Sequence, residues 1–533
     1  MSESFSARTR KLISQLTKCE PEQLSKWEKI SGRIAIVISK QASQTPNARL
    51  ALALSVNCLS RVYPIVTELD VVIPDDINHR LEAPLFEGQT TRNCIELFVE
   101  KLKPEVKVRV VNKFEDRYDA VLSIGNTDYN NPFKISVSSD GWLAFASPKS
   151  LSQEFTDNTN PIGAYAAANL GAAEIFKKIL IKKTNSIVPS WSEYDFRWIT
   201  HFLNKELLFN TFDYSLDKKK SVNPSLPDVV DIDHLTVAGV GAGGGSCLYT
   251  LASLTTFKGV FHLIDPDEIK DSNLNRYVYA THSDAEKNIP KVHAMRQLLS
   301  NHRNCTIKPY HTNYGEFSKQ TNSSPIDVLI STVDTNKARV AIQWDFPATI
   351  FDAAVIRSQF YVNRVEFGKN ACLGCRFLAD GPSESLETHL SKITGIPVDT
   401  ITTLITNNAP IEKHHIEIMK SFSEKNKFPL PKVGDHFQDW YQYHCGELKL
   451  DDSNILIPLP FATIMPGILV AGEVIKRRYF SNNNNGPNFF SYDIFGLKVD
   501  PTNTIKRRPD CQICSNEKTV QRYKEKHNIK DQD

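Results

Sequence analysis

The window Gly239-Val240-Gly241-Ala242-Gly243-Gly244 has the pattern G-x-G-x-x-G, a spacing that lets backbone amides approach a phosphate closely when it joins a strand to a helix. HLTVAGV (234–240) is apolar and β-branched, and CLYTLASLTTF after the loop repeats its apolar residues at helical spacing, so that order is met. A tight turn with no ligand is the competing reading of the loop alone. The next strand, GVFHLID, ends at Asp265, where a carboxylate can accept hydrogen bonds from ribose hydroxyls. That much suits any adenosine cofactor, including that of an oxidoreductase. What discriminates is the run DPDEIKDSNLNRYVY (265–279), then PKVHA (290–294) and STVDTNKAR (331–339), which sets Asn273, Arg276, Lys291 and Asp334 beside one sheet edge. Hydride transfer has no use for such an array. Phosphoryl or nucleotidyl transfer needs cations to neutralise a triphosphate and a carboxylate to hold magnesium.

The second chemical signal is cysteine spacing. Ten cysteines are present, and four form the pairs Cys372/Cys375 and Cys511/Cys514. Thiolates at C-x-x-C spacing can close a tetrahedral zinc site together, and four of them leave no open coordination position, so the expected zinc is structural. A redox C-x-x-C is the competing reading. Cys19, Cys58, Cys94, Cys247 and Cys305 read as inert thiols. Cys445 stands apart in the polar and aromatic segment DHFQDWYQYHCGELKLDD, between the two zinc pairs, with His444 before it and Gly446 after it. That setting suits a thiolate nucleophile. His414 and His415 read as surface or packing residues.

The elements around these residues alternate. GRIAIVIS from about 33, PIVTELDVVI and DAVLSIG read as strands, NARLALALSVNCLSRV as a helix, and 161–182 and 190–212 as helical. The first strand is followed by SKQASQTP rather than a glycine fingerprint, so no nucleotide is expected in this half. A polar stretch, DKKKSVNPSLPD (217–228), reads as a linker, and the end of the chain as a polar tail that frays. Laying Glu174 on Glu473 aligns PIGAYAAANLGAAEIFK (161–177) with PFATIMPGILVAGEVIK (460–476), with matches at both glutamates and at Lys177 and Lys476. The repeat implies two related α/β domains.

At 533 residues, two or three domains are expected. Lys plus Arg (63) against Asp plus Glu (61) leaves +2, no global reason to bind nucleic acid or an anionic membrane. No apolar run has the roughly 18 to 20 residues of a membrane span, and MSESFSARTRKL lacks a signal-peptide core, so the expected compartment is the cytoplasm.

The region 230–514 resembles the ThiF/MoeB family of adenylating enzymes, which includes the ubiquitin-activating enzymes. The resemblance rests on Gly241 to Ser246, Asp265, Ser272-Asn273-Leu274-Asn275-Arg276, Pro290-Lys291, Asp334-Thr335-Asn336 with Arg339, and the two C-x-x-C pairs. Departures are Ser246 where a glycine is usual, Thr335 between the aspartate and the asparagine, and a longer interval from Arg276 to Lys291. The resemblance implies ATP as cofactor, bound by Gly241, Gly243, Gly244, Asp265, Asp267, Asn273, Arg276, Lys291 and Asp334. Asp265 would hold the ribose, Asn273, Arg276 and Lys291 the phosphates, and Asp334 a Mg2+ ion. It implies catalytic roles for Arg276, Lys291 and Asp334 in forming an acyl-adenylate on a peptide C-terminal carboxylate. It also implies an arginine from an N-terminal helix, for which Arg8 and Arg10 are candidates, and a thioester on Cys445. A degenerate first half in a compact chain resembles bacterial ubiquitin-like conjugation enzymes of the antiviral Bil type.

The expected architecture is therefore two Rossmann-like adenylation folds, the first (1–216) degenerate and the second (231–375 and 456–514) active and zinc-bearing. The linker is 217–230, a cysteine insert spans 376–455 and a polar tail 515–533. The expected partners are a ubiquitin-like protein and a conjugating enzyme, with a homodimer possible because two folds in one chain can mimic a dimer or pair again. Rival readings are a sulfur-carrier adenylyltransferase and a non-catalytic scaffold.

Overall fold

The computed structural model describes residues 5–529 apart from 7–8, 11–12, 14–25, 188–201, 301, 303, 322–323, 357–358, 378–385, 408, 427, 438–439, 442–458, 481–486, 494–497 and 501–504. Two sheets organise the larger of two compact units, Met1–Arg376 with Pro458–Asp533. The first sheet holds β1 (Arg33–Ile38), β2 (Glu68–Val72), β3 (Lys107–Val111), β4 (Ala120–Ile124), β5 (Lys134–Asp140), β6 (Leu143–Ser147) and β7 (Leu207–Asn210), in the order β3-β2-β1-β4-β5-β6-β7. The second holds β8 (Val230–Ala238), β9 (Phe257–Ile264), β10 (Cys305–Tyr310), β11 (Val328–Ser331), β12 (Thr349–Ile356), β13 (Gln359–Glu366), β14 (Phe489–Asp493) and β15 (Lys498–Asp500), in the order β10-β9-β8-β11-β12-β13-β14-β15. Each sheet is parallel over its first five strands in that order and antiparallel beyond them. Both are Rossmann-like, and both reverse strand order between the first strand and its neighbours, where such sheets open a crevice.

The repeat extends to the helices. In the first half α1 (Pro46–Leu59) follows β1, α2 (Thr91–Leu102) follows β2, and α3 (Ile162–Ile187) runs under β4 to β6. In the second, α4 (Ala242–Leu251) follows β8, α5 (Lys291–Leu299) precedes β10, α6 (Asn336–Gln343) follows β11, and α7 (Pro460–Tyr479) packs on β8, β12 and β13. α1 packs on α3, α3 on α7 and α7 on α4, one helical layer with a sheet on either side. That is why α1 is buried nearly all round: a helix enclosed on every side has no polar face. Glu174 pairs with Lys177 and Glu473 with Lys476, both inside this layer and both at i,i+3, so the aligned residues do the same job on two equivalent helices.

Two expectations fail. Residues 207–210 form β7, not helix, because LLFN closes the antiparallel edge against Leu143–Ala146; 190–201 lie outside the described residues. The described part of the expected tail, up to residue 529, is not frayed: α8 (Glu517–Lys526) docks through Lys526 Nζ to Asp345 at 2.8 Å and through Tyr523 against Phe367. The linker is pinned too, Asn223 Oδ1 accepting from Trp142 N at 3.0 Å and Pro224 O from Trp142 Nε1 at 2.9 Å.

The second unit, Phe377–Ile457, has its own core, in which Leu390, Ile393, Ile401, Leu404, Met419, Phe437 and Trp440 come together from the helices Leu386–Thr394, Val398–Thr406 and Lys413–Asn426 and the segment after them. His415 is buried, its Nδ1 accepting from Glu412 N, and His414 is exposed. Among the described residues no helix is long and apolar enough to cross a membrane.

Candidate functional site

The glycine loop lies at the carboxyl end of β8, and its glycines differ in what surrounds them. A Cβ on Gly244 would stand 2.1 Å from Gly239 O, and one on Gly245 would enter the Tyr279 ring at 2.1 Å. These two glycines serve close packing. At Gly241 the nearest atom to a Cβ is Tyr277 Oη at 3.6 Å, and at Gly243 it is Thr332 Cγ2 at 3.4 Å, so these two border the open side. Gly241 is the N-cap of α4 and no side chain caps the helix, which leaves amide donors and the positive end of the helix dipole facing the crevice. Gly467 of α7 backs the loop, since a Cβ there would meet Gly243 O at 2.5 Å. Ser246, the departure from the usual glycine, turns its hydroxyl onto Ala242 O inside the helix.

Charge gathers beside this loop. Asp265 ends β9 buried, with Oδ2 accepting from Val240 N at 2.7 Å and Oδ1 from Asp267 N at 2.9 Å. Lys291 at the start of α5 is also buried, with Nζ 3.3 Å from Asp265 Oδ1 and 2.6 Å from Asp267 Oδ2. Burial pulls the Lys291 pKa down, but Tyr277, Asp265 and Asp267 outweigh it and hold the ammonium above the ordinary lysine value. Burial pushes Asp265 up, against the pull of Lys291 and the two amides. The pair thus secures the cation more firmly than the carboxylate. Asp265 retains acceptor capacity, because an ionised carboxylate offers about four lone-pair positions.

The segment after β9 brings Arg276 to the same place. Its Nη1 donates to Ser272 O and Asn275 Oδ1 at 2.8 and 2.9 Å, and the Tyr277 ring lies 5.1 Å from its guanidinium and 5.6 Å from Lys291 Nζ. Asn273 Oδ1 accepts from Lys270 N at 3.0 Å and holds the turn. Asp334 is exposed in the loop after β11; Thr332 just before it donates to Gly239 O at 2.7 Å, tying that loop to the glycines. Thr335, the other departure, is the N-cap of α6, and Arg339 on that helix is paired with buried Asp352 at 2.9 Å. The structure thus gathers Gly241, Arg276 and Lys291 around Tyr277, with Asp265 and Asp267 on Lys291 and Gly243 beside Thr332. Tyr277, Tyr279 and Thr332 join the site beyond the residues expected from the sequence, and the alternation R-Y-V-Y beside Arg276 is the signal the chain carries for the two tyrosines.

Arg10 is engaged elsewhere, by Glu28, by Glu105 at 3.4 Å and by Ser6 Oγ at 3.0 Å. Arg8 and Cys445 lie outside the described residues.

The first half has the same crevice without the chemistry. Ser39 accepts from Ala42 N and Thr45 from Ala48 N, so its helices cap themselves. Glu154 occupies the turn, with Oε1 accepting from Asn126 N at 3.2 Å and Oε2 within 3.1 Å of where a Cβ on Gly125 would stand. A fixed carboxylate there repels a phosphate.

Cys372, Cys375, Cys511 and Cys514 are buried together with all sulfurs within 4.8 Å of one another. The closest separations are 3.4, 3.6 and 3.9 Å, against about 3.8 Å between ligands of a tetrahedral site with bonds of about 2.3 Å. The four thiols fit a structural zinc.

Comparison with known proteins bears on this geometry. The ThiF family model matches residues 226–513, the whole span from β8 to the second cysteine pair. The chain belongs to the ThiF family. It is accordingly an adenylyltransferase-type, ATP-binding enzyme. The BilD N-terminal domain model matches residues 33–187, which hold β1 to β6 of the first sheet and the helices α1 to α3. The uncharacterized protein y4jF of Sinorhizobium fredii (strain NBRC 101917 / NGR234) is 23% identical over 458 residues, 83% of this chain and 81% of its own. The two family matches together support a ThiF-type, Bil-like activating enzyme and imply a ubiquitin-like protein as partner.

Proposed function

We propose that this ThiF-family enzyme adenylates the C-terminal carboxylate of a ubiquitin-like protein, carries the protein as a thioester on Cys445 and passes it to a conjugating enzyme. The observation that supports this most is the uncapped α4 N-terminus, open at Gly241 and Gly243, facing the buried Lys291–Asp265 pair and Arg276. In the first step a carboxylate oxygen attacks the α-phosphorus of ATP, the bond from that phosphorus to the bridging oxygen breaks, and pyrophosphate leaves. The α4 amides, Arg276 and Lys291 stabilise the charge that develops on the phosphates. Asp265 accepts from the ribose. Asp334, exposed at a strand end, is the carboxylate available to Mg2+, which supplies charge neutralisation when bound. In the second step the Cys445 thiolate attacks the acyl carbon and AMP leaves with its oxygen.

Cys445 is favoured by the state of the described thiols outside the zinc pairs, Cys19 lying outside the described residues. Burial pushes Cys58 up to about 12 and Cys305 up to about 11, and raises Cys94 and Cys247 as well, so each resists forming the nucleophilic thiolate. The insert that carries Cys445 has a packed core of its own, which suits a module that presents a nucleophile.

The test is incubation with ATP, magnesium and candidate ubiquitin-like proteins, followed by pyrophosphate exchange and paired reducing and non-reducing gels. Asp334→Ala is expected to lower exchange by roughly 100-fold or more with the fold intact. Cys445→Ala is expected to keep exchange and lose the reducible adduct, because the thiol acts after adenylation. An adduct that survives Cys445→Ala assigns the carrier to another cysteine. Exchange without any adduct in the wild type favours sulfur-carrier adenylation.

A further inference from the structure

The half without a glycine loop reaches into the other half at one place. Asn57, in the last turn of α1, and Arg61, one turn beyond it, are wholly buried. Asn57 Nδ2 donates to Val278 O at 2.8 Å, and Asn57 Oδ1 accepts from Arg61 Nε at 2.7 Å. Arg61 Nη1 donates to Leu274 O at 2.5 Å and Nη2 to Ala280 O at 3.0 Å. Three backbone carbonyls of one short segment are thus held by two side chains more than 200 residues away in sequence. The held segment, Leu274–Ala280, carries Arg276 and Tyr277 and begins just after Asn273, and Tyr279 in it donates to Val240 O at 2.5 Å. It therefore joins the first half to the glycine loop.

We propose that Asn57 and Arg61 are positioning residues for nucleotide activation in the second half, fixing the Leu274–Ala280 backbone so that Arg276 and Tyr277 meet the reacting phosphates. Neither side chain touches the nucleotide, since both are buried against backbone. The arrangement is costly unless it serves something, because a guanidinium taken out of water loses its hydration and regains it only through well-aligned partners. Burial lowers Arg61 to about 10, and it stays charged at neutral pH. The planar fork matters: it addresses two carbonyls and the Asn57 oxygen from three separate nitrogens in a fixed plane, a spread that the single nitrogen of an ammonium does not have. The inference rests on the adenylation reading, and it gives the degenerate half a task that needs no nucleotide of its own.

Full-length Arg61→Lys and Asn57→Ala are compared with wild type by ATP–pyrophosphate exchange and by hydrogen–deuterium exchange. The ground-state nucleotide contacts proposed for the glycine loop, Asp265 and Lys291 lie outside the clamped segment. Each variant is therefore expected to lose about tenfold or more in kcat with a smaller change in KM for ATP. Amides of 274–280 should exchange faster while those of β8 to β11 keep wild-type protection, and Arg61→Lys should lose less than Arg61→Met. Unchanged kinetics with unchanged local protection overturn the proposal. So does a loss of protection spread over both sheets with kcat per folded enzyme at wild-type level, which marks a structural role alone. Absence of exchange in wild type sinks the adenylation reading instead, and the amide protection of 274–280 then still decides whether the clamp exists.

Discussion

Single residues in the loop divide between packing and access, although all are glycine. Gly245 has no room for a Cβ because the Tyr279 ring occupies it, while Gly241 meets only Tyr277 Oη at 3.6 Å. Gly245→Ala is expected to cost about 1–3 kcal/mol of stability through overpacking. Gly241→Ala should leave the folding free energy within about 0.5 kcal/mol of wild type and instead weaken ATP binding, since the methyl group projects toward the crevice. Thermal unfolding and nucleotide titration of both variants check the division; a destabilised Gly241→Ala with normal ATP affinity would refute it. Lys291 shows the same contrast between type and task. Its sequence position announces a phosphate ligand, and its geometry adds that Asp265 and Asp267 keep it charged and aimed before any phosphate arrives.

At the scale of elements, the cysteine pairs fasten the short helix Leu373–Phe377 to the chain end that continues into α8. One zinc per chain is expected on metal analysis. Cys511→Ser should lower thermal stability far more than it lowers pyrophosphate exchange, because closed thiolate coordination contributes folding energy rather than chemistry. Zinc-free native protein would discount this. The long helix α3 supplies a pH response of its own. Lys183 is buried with Nζ donating to Trp27 O at 3.0 Å and Pro64 O at 2.5 Å, and burial lowers its pKa from the ordinary lysine value to about 7. Above about pH 7 the folded chain releases this proton while the unfolded chain still binds it up to about 10.4, so folding stability rises with pH across that window. The slope approaches about 1.4 kcal/mol per pH unit. Lys183→Met should flatten the rise seen in urea unfolding between pH 7 and 10; an equal rise in the variant would assign it to other groups.

Across the whole molecule, two copies of one architecture share a helical layer but not a function. The first copy caps its helices with Ser39 and Thr45 and sets Glu154 in its turn, so titration with ATP should give one nucleotide per chain. Two equivalent sites would contradict the asymmetry. The sequence alone singled out the candidate site: the glycine loop, Asp265, Arg276, Lys291, Asp334 and the C-x-x-C pairs are specified by residue type and short spacing, and a strand–loop–helix order is written in local periodicity. It also carried the repeat, since Glu174–Lys177 and Glu473–Lys476 are i,i+3 pairs on single helices. Only the tertiary structure decided that Leu207–Asn210 is a strand, that α8 is docked, that Arg10 is held by Glu28 and Glu105, and that Arg61 clamps Leu274 and Ala280. Each of these rests on partners distant in sequence, and burial against a distant partner outweighs local propensity without leaving a periodic trace in the chain.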